Sequence, residues 1–173
     1  MDLDKFLEQL DKNSEATFKL VQDCTTVQLH YPPSSRWSIM QVLEHVCITE
    51  KLVGNLLLTP FETVAPGHTV LGEEKLRKLI VRDTEHKVKA PESLQPKGEI
   101  TDIQTFERTF LYQRNQLKKN LLTGQIVIDN RSRKHPFLGE MTVSDWLYFI
   151  PFHNERHQAQ ISSILESMNV NAL

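Results

Sequence analysis

Apolar residues recur at three- and four-residue spacing along most of the chain, the period of one face of an α-helix. Leu3, Phe6, Leu7, Leu10, Thr17, Phe18 and Val21 make the first stripe, with Asp2, Asp4, Glu8, Asp11 and Lys12 on the other face. Pro32 and Pro33 then place a loop, because proline cannot continue a helix. A second helix starts near Ser38, which forms a capping-box pair with Gln41 three residues on. Its buried stripe is Ile39, Val42, Leu43, Val46, Val53, Leu56 and Leu57. His45 falls on the edge of that stripe, on the side of Thr49, Leu52 and Leu56. Pro60 and Pro66 end the segment.

Residues 60–101 are the least regular part. Glu73 to Arg82 fits a short helix with Leu76, Leu79 and Ile80 on one side, and Ala90 to Gly98 reads as a loop. A third main helix spans Asp102 to Leu122 on the stripe Ile103, Phe106, Phe110, Leu117 and Leu121, with Gly124 as its stop signal. Residues 125–141 form a linker in which Gln125 to Ile128 fits a short strand. Thr142 and Asp145 resemble a capping pair, so the last helix runs from Val143 to about Met168. It carries Trp146, Phe149, Ile150, Ile161, Ile164 and Leu165, and Pro151 inside it should bend it or remove one hydrogen bond. Four amphipathic helices in a chain of this length predict an all-α, four-helix bundle as one domain over residues 1–173. The long stretch between the second and third main helices suits a crossover between helices that are not antiparallel neighbours.

Charge and composition narrow the function classes. Lys plus Arg is 20 and Asp plus Glu is 22 in 173 residues, a net charge of −2 without the bulk positive charge of a nucleic-acid binder. No apolar run approaches the roughly 18 residues of a membrane helix, and the start Met1-Asp2-Leu3-Asp4-Lys5 is no secretory signal. Cys24 and Cys47 are too few for a disulfide scaffold or a thiolate zinc site and read as small helix residues. A cytoplasmic location follows as the expectation.

The chemistry concentrates in His153-Asn154-Glu155-Arg156-His157 on the last helix. Residues four apart share one helix face about 6 Å apart, so the two imidazoles can grip one metal ion; by spacing alone they also fit two partly buried histidines. A third nitrogen is needed. His30, His68, His86 and His135 fall in loops or on the short segment, whereas His45 sits on a long helix at the core margin. His45, His153 and His157 together would leave coordination positions open for water and substrate, the mark of a catalytic site. His45 alone equally fits a hydrogen-bonded core histidine. Glu44, Glu155 and Gln160 are the nearest supporting or acid/base groups. Of these, Glu155 points away from the histidine pair, and Gln160, one turn on, can orient a ring but not carry a proton. Trp37 and Trp146 read as packing residues, His135 as part of the linker rather than a fourth ligand, and Arg131, Arg133 and Lys134 as a solvated basic face.

Three stretches carry a resemblance. Trp37-Ser38-Ile39-Met40-Gln41-Val42-Leu43-Glu44-His45 opens the second helix, His135-Pro136-Phe137-Leu138-Gly139-Glu140-Met141-Thr142 precedes the last, and His153 to Ile161 contains H-x-x-x-H-x-x-Q-I. In order, separation and helical context the chain resembles the DinB/YfiT-like superfamily of small bacterial metal-binding bundles over nearly its whole length. The resemblance implies an up-down-down-up topology and a three-histidine site for zinc, nickel or a similar divalent ion. Carried over residue by residue, the ligands are His45, His153 and His157. It further implies a metal-dependent hydrolase, or a transferase using a low-molecular-weight thiol on a small-molecule substrate, with non-catalytic metal or ligand binding in a stress response as the alternative. A homodimer is expected because relatives often pair. The family name refers to damage-inducible expression and implies no DNA binding.

Overall fold

The computed structural model describes residues 1–32, 36–61, 63–64, 71–82 and 89–170. In chain order its elements are α1 (Leu3–Val21), α2 (Thr26–His30), α3 (Ile39–Leu57), β1 (Thr63–Val64), α4 (Glu73–Arg77), α5 (Ile103–Leu122), β2 (Arg131–His135), β3 (Gly139–Thr142) and α6 (Val143–Val170). A π-helical turn over Lys78–Arg82 continues α4, and a 3-10 turn spans Glu92–Leu94. The readings placed on Pro33, Pro66, His68 and His86 lie outside the described residues.

Local signals set the helix starts. Asp2 and Asp102 accept the backbone N–H three residues on, and Ser38 with Gln41 forms the full reciprocal box. Thr142 and Asp145 exchange the same pair of bonds before α6. Thr25 and Gln28 make another such box and start α2, a helix the sequence reading passed over. Gly124 follows α5 in the left-handed region, at φ 70°. α6 continues through Pro151 without interruption.

The bundle is up-down-down-up. Contacts run in the same direction between α1 and α6: Phe6 meets Tyr148, Asn13 meets Pro151 and Asn154, and Thr17 meets Gln158. They also run in the same direction between α3 and α5: Val46 and Phe106 belong to one apolar cluster, Glu50 bonds Arg114, and Leu57 and Leu121 belong to the other cluster. The neighbours α1/α5 and α3/α6 are antiparallel, as Leu10 on Arg114, Phe18 on Phe106 and His45 on His157 require. The segment between α3 and α5 is therefore a crossover joining parallel helices.

Beside the helices lies a three-stranded antiparallel sheet in the order β1-β2-β3, with Thr63 opposite Ser132 and Ser132 opposite Thr142. This corrects the linker reading of 125–141: the strands begin at Arg131, and Gln125 to Ile128 forms none. Ile126 is buried there as a core plug. Two further side chains depart from their predicted faces. Leu79 is 40% exposed because the change to a π-helical turn at Lys78 shifts the spacing of the stripe. Leu52 is 52% exposed, although helical spacing places it on the same side of α3 as the buried His45 and Thr49.

The core divides into two apolar clusters. One gathers Phe6, Leu10, Val53, Leu57, Leu117, Leu121, Leu147 and Phe152; the other gathers Val21, Ile39, Val42, Val46, Phe106, Phe110, Ile161 and Ile164. Each fully buried Phe, Leu or Ile contributes about 1.5–3 kcal/mol. Between the clusters runs a polar layer. Arg114, only 2% exposed, donates through Nε to Glu50 (2.7 Å), through Nη2 to Glu50 and Asn13, and through Nη1 to the Leu10 carbonyl. Asn154 donates to Asn13 and Thr17, both at 2.8 Å. Gln158 donates to the Asn13 carbonyl and to Thr17. All four long helices contribute to this network.

Candidate metal centre

α3 and α6 face each other in antiparallel fashion, and on that seam His45 meets His153 and His157. The three ring centroids lie 4.5, 4.8 and 5.1 Å apart, and one nitrogen from each ring falls within 4.8 Å of the others. The i, i+4 spacing on α6 stacks His153 and His157 on one face, with their Nε2 atoms 3.2 Å apart. Neither His30, at the end of α2, nor His135, at the end of β2, joins them.

Hydrogen bonds on the far side of two rings fix which nitrogen faces inward. His45 Nδ1 lies 2.7 Å from the Leu94 carbonyl, which can only accept, so Nδ1 carries the proton and Nε2 keeps its lone pair. His157 Nδ1 donates to Gln160 Oε1 at 2.8 Å with the same result. His153 Nδ1 is buried without a partner. Two inward lone pairs thus converge with at most one proton, on His153, to share between them. That is a donor set for a cation. Zinc–imidazole bonds of about 2.0–2.1 Å hold neighbouring nitrogens about 3–3.5 Å apart. The His153–His157 spacing already meets that range.

Burial keeps the rings neutral, the form a metal requires. Desolvation pushes His153 well below the ordinary imidazole value, helped by His157, His45 and Arg156. Desolvation and His45 push His157 down to about 3, against the opposing bond to Gln160. His45 is also lowered by burial, and its bond to Leu94 partly restores it.

Aromatic rings wall the cluster. Trp37 lies 4.9 Å from His45, and Phe149, one turn before His153, stacks on it at 5.2 Å. His135 stands behind Phe149, with ring centroids 5.4 Å apart; its Nδ1 accepts the N–H groups of Phe137 and Leu138, each at 3.1 Å. Trp146 packs against both His135 and Phe149 and donates to the Arg133 carbonyl.

The supporting carboxylates are placed differently from the sequence expectation. Glu44 is buried, but its carboxylate accepts the backbone N–H groups of Lys97, Gly98 and Glu99 and is not an acid/base group of the cluster. Adjacent helix residues point about 100° apart, which turns Glu44 onto the loop while His45 faces α6. Glu155 pairs with Arg77 on the far side of α6. Gln160 stands where its spacing put it. Of the basic run, Arg131 pairs with Asp129, while Arg133 bonds Thr59 and Pro60 and covers the Phe61 ring. The Leu94 carbonyl is the contributor that no side-chain pattern could have revealed, being backbone.

Comparison with known proteins agrees with this architecture. The sequence profile of the DinB superfamily matches residues 9–161. The protein YuaE of Bacillus subtilis (strain 168) is 28% identical over 137 residues, covering 79% of this chain and 82% of YuaE. The solved structure of YfiT from Bacillus subtilis superposes with a TM-score of 0.62 at 18% identity, covering 96% of this chain and 87% of that one. YfiT is described as a probable metal-dependent hydrolase with an unusual four-helix bundle topology. Among the described residues no helix is long and apolar enough to cross a membrane.

Proposed function

The chain belongs to the DinB superfamily, and from that premise we propose that it is a divalent-metal-dependent enzyme acting on a small molecule, with His45, His153 and His157 as the metal ligands. The observation that carries the reading is the convergence of three neutral imidazoles, two with their lone pairs turned inward by bonds to Leu94 and Gln160. Among the described residues no carboxylate or thiolate completes the set, which leaves coordination positions for water and substrate. Zinc and nickel are the proposed ions, both suited to imidazole nitrogen. When bound, such an ion supplies Lewis acidity that activates water for hydrolysis or stabilises a thiolate for S-transfer.

The residues of the chain divide the remaining work. Gln160 and the Leu94 carbonyl hold the His157 and His45 protons on Nδ1 and orient both rings. Trp37 packs on His45 and Phe149 on His153, and together they exclude water from two sides of the cluster. With Glu44 on the loop and Glu155 on Arg77, neither is free to take a proton from an attacking water. A thiol whose pKa a bound ion lowers would release its proton to bulk solvent before reacting and so needs no positioned base. Transfer of a low-molecular-weight thiol is therefore the finer form of the proposal, and hydrolysis the coarser one.

Among the described residues no free carboxylate stands at the cluster as a base, which favours a second reading, a non-catalytic metal- or ligand-binding bundle. Elemental analysis of protein purified without an affinity tag tests the metal. A thiol panel against the cobalt-loaded protein then tests the reaction class: a shifted visible spectrum with turnover supports the enzyme, and metal without either supports the binding bundle. A homodimer belongs to the proposal as well, and a sedimentation mass near that of one chain, 20.1 kDa, at high micromolar concentration would overturn it.

A further inference from the structure

Glu44 and His45 are consecutive residues of α3 that grip the same loop. His45 Nδ1 takes its first residue, at the Leu94 carbonyl. Glu44 takes the other end: Oε1 accepts the N–H groups of Lys97 (3.0 Å) and Glu99 (2.9 Å), and Oε2 accepts that of Gly98 (2.9 Å). Gly98, at φ 79°, lets these three successive N–H groups turn to one side. The carboxylate is 2% exposed, and among the described residues its bonding partners are these peptide groups. A buried charge held this way binds its partners about twice as strongly as a neutral acceptor would.

Only Gln95 and Pro96 separate the two grips, and the Pro96 ring fixes its own φ. On the other side of Leu94 the chain is tied back on itself: Leu94 N–H bonds the Pro91 carbonyl at 2.9 Å, Gln95 N–H bonds the Glu92 carbonyl at 3.2 Å, and the Gln95 side chain bonds the Ala90 carbonyl at 3.3 Å. Displacement at 97–99 thus reaches the Leu94 carbonyl through a two-residue link, one of them proline. We infer that Glu44 is a positioning residue for the histidine cluster: by clasping the backbone of Lys97, Gly98 and Glu99 it holds the Leu94 carbonyl on His45 Nδ1 and so keeps the His45 Nε2 lone pair turned toward His153 and His157. The consequence for metal affinity rests on the proposed function; the effect on the His45 tautomer stands without it.

The test compares wild type with Glu44→Gln and Gly98→Val, the second loosening the clasp from the loop side by disfavouring the left-handed φ. Nitrogen NMR of the metal-free proteins reads the His45 tautomer, and competition with a zinc chelator reads affinity. Wild type should show a single His45 tautomer protonated on Nδ1. Both variants should show mixed His45 tautomers with unchanged His157 signals, and zinc affinity about 10–100-fold weaker, the usual cost of losing an outer partner of a ligand. A wild-type His45 tautomer in folded Glu44→Gln overturns the inference. If circular dichroism shows that Glu44→Gln does not fold, Gly98→Val decides in its place. If wild type binds no zinc, the metal reading fails, and the tautomer comparison alone decides the role of Glu44.

Discussion

Two buried polar clusters share the same helices and follow opposite rules. On α6, Asn154 and Gln158 face α1 and join the Glu50–Arg114 layer, while His153 and His157, each one residue earlier, face α3. In the layer, Arg114 sends its protons to Glu50, Asn13 and Leu10, and Asn154 sends its protons to Asn13 and Thr17. In the histidine cluster, the His45 and His157 Nε2 lone pairs turn inward, one proton at most lies between His153 and His157, and His153 Nδ1 is buried without a partner. Buried polar groups that answer each other hold a bundle in register; buried groups that do not are held there by the rest of the fold and mark where something else binds.

The largest expected effect comes from breaking the closed cluster. Arg114→Ala leaves Glu50 buried and unpaired, and urea unfolding should show a loss of about 3–5 kcal/mol whether or not metal is present. The open cluster should give the reverse pattern. His157→Ala leaves apo stability near wild type but removes the gain from metal, about 2.7 kcal/mol for wild type at a hundred times Kd. A His157→Ala protein whose melting temperature still climbs with zinc as wild type does would end the contrast.

Asn154→Ala sharpens it further. Asn154 adjoins His153 in sequence yet belongs to the layer, so a loss of about 1–2 kcal/mol is expected with the zinc response intact. The contrast also extends to pH. Because His157 titrates near 3 when folded and His153 well below the ordinary value, the unfolded chain binds more protons below about pH 6.5. Apo stability therefore falls as pH drops from about 6.5 toward 3, by about 1.4 kcal/mol per pH unit for each such histidine in the middle of that window. Denaturation at pH 7 and pH 5 should show a shallower slope for His153→Ala than for wild type.

The sequence made the apolar half of this picture legible. The stripes of Phe106, Phe110, Leu117 and Leu121, and the caps at Ser38, Asp102 and Thr142, are local, so period and spacing reveal them. The meeting of His45 with His153 and His157 is not local; it came from a motif resemblance and from the edge position of His45. What stayed hidden depended on contacts between distant segments. β2, Arg-Ser-Arg-Lys-His, has no apolar residue and reads as solvated, yet it pairs through its backbone and buries Ser132. Glu50 and Arg114 each look like surface charges on their own helices, 64 residues apart. Glu44, next to His45 in sequence, reads as a supporting or acid/base group of the histidines, and only the fold of residues 97–99 shows what it holds.

The parallel course of α1 and α6 has a mechanical consequence. The N-terminal end of α1 and the C-terminal end of α6 lie at opposite ends of the bundle, so a pull applied at those two points slides the helices along each other. The side-chain bonds from Asn13 and Thr17 to Asn154 and Gln158 are then strained together, in shear, instead of opening one after another as in a peeled hairpin. Stretched between those two ends, the bundle resists as a lap joint does, through its overlap, and the Asn13–Asn154 seam is where it yields.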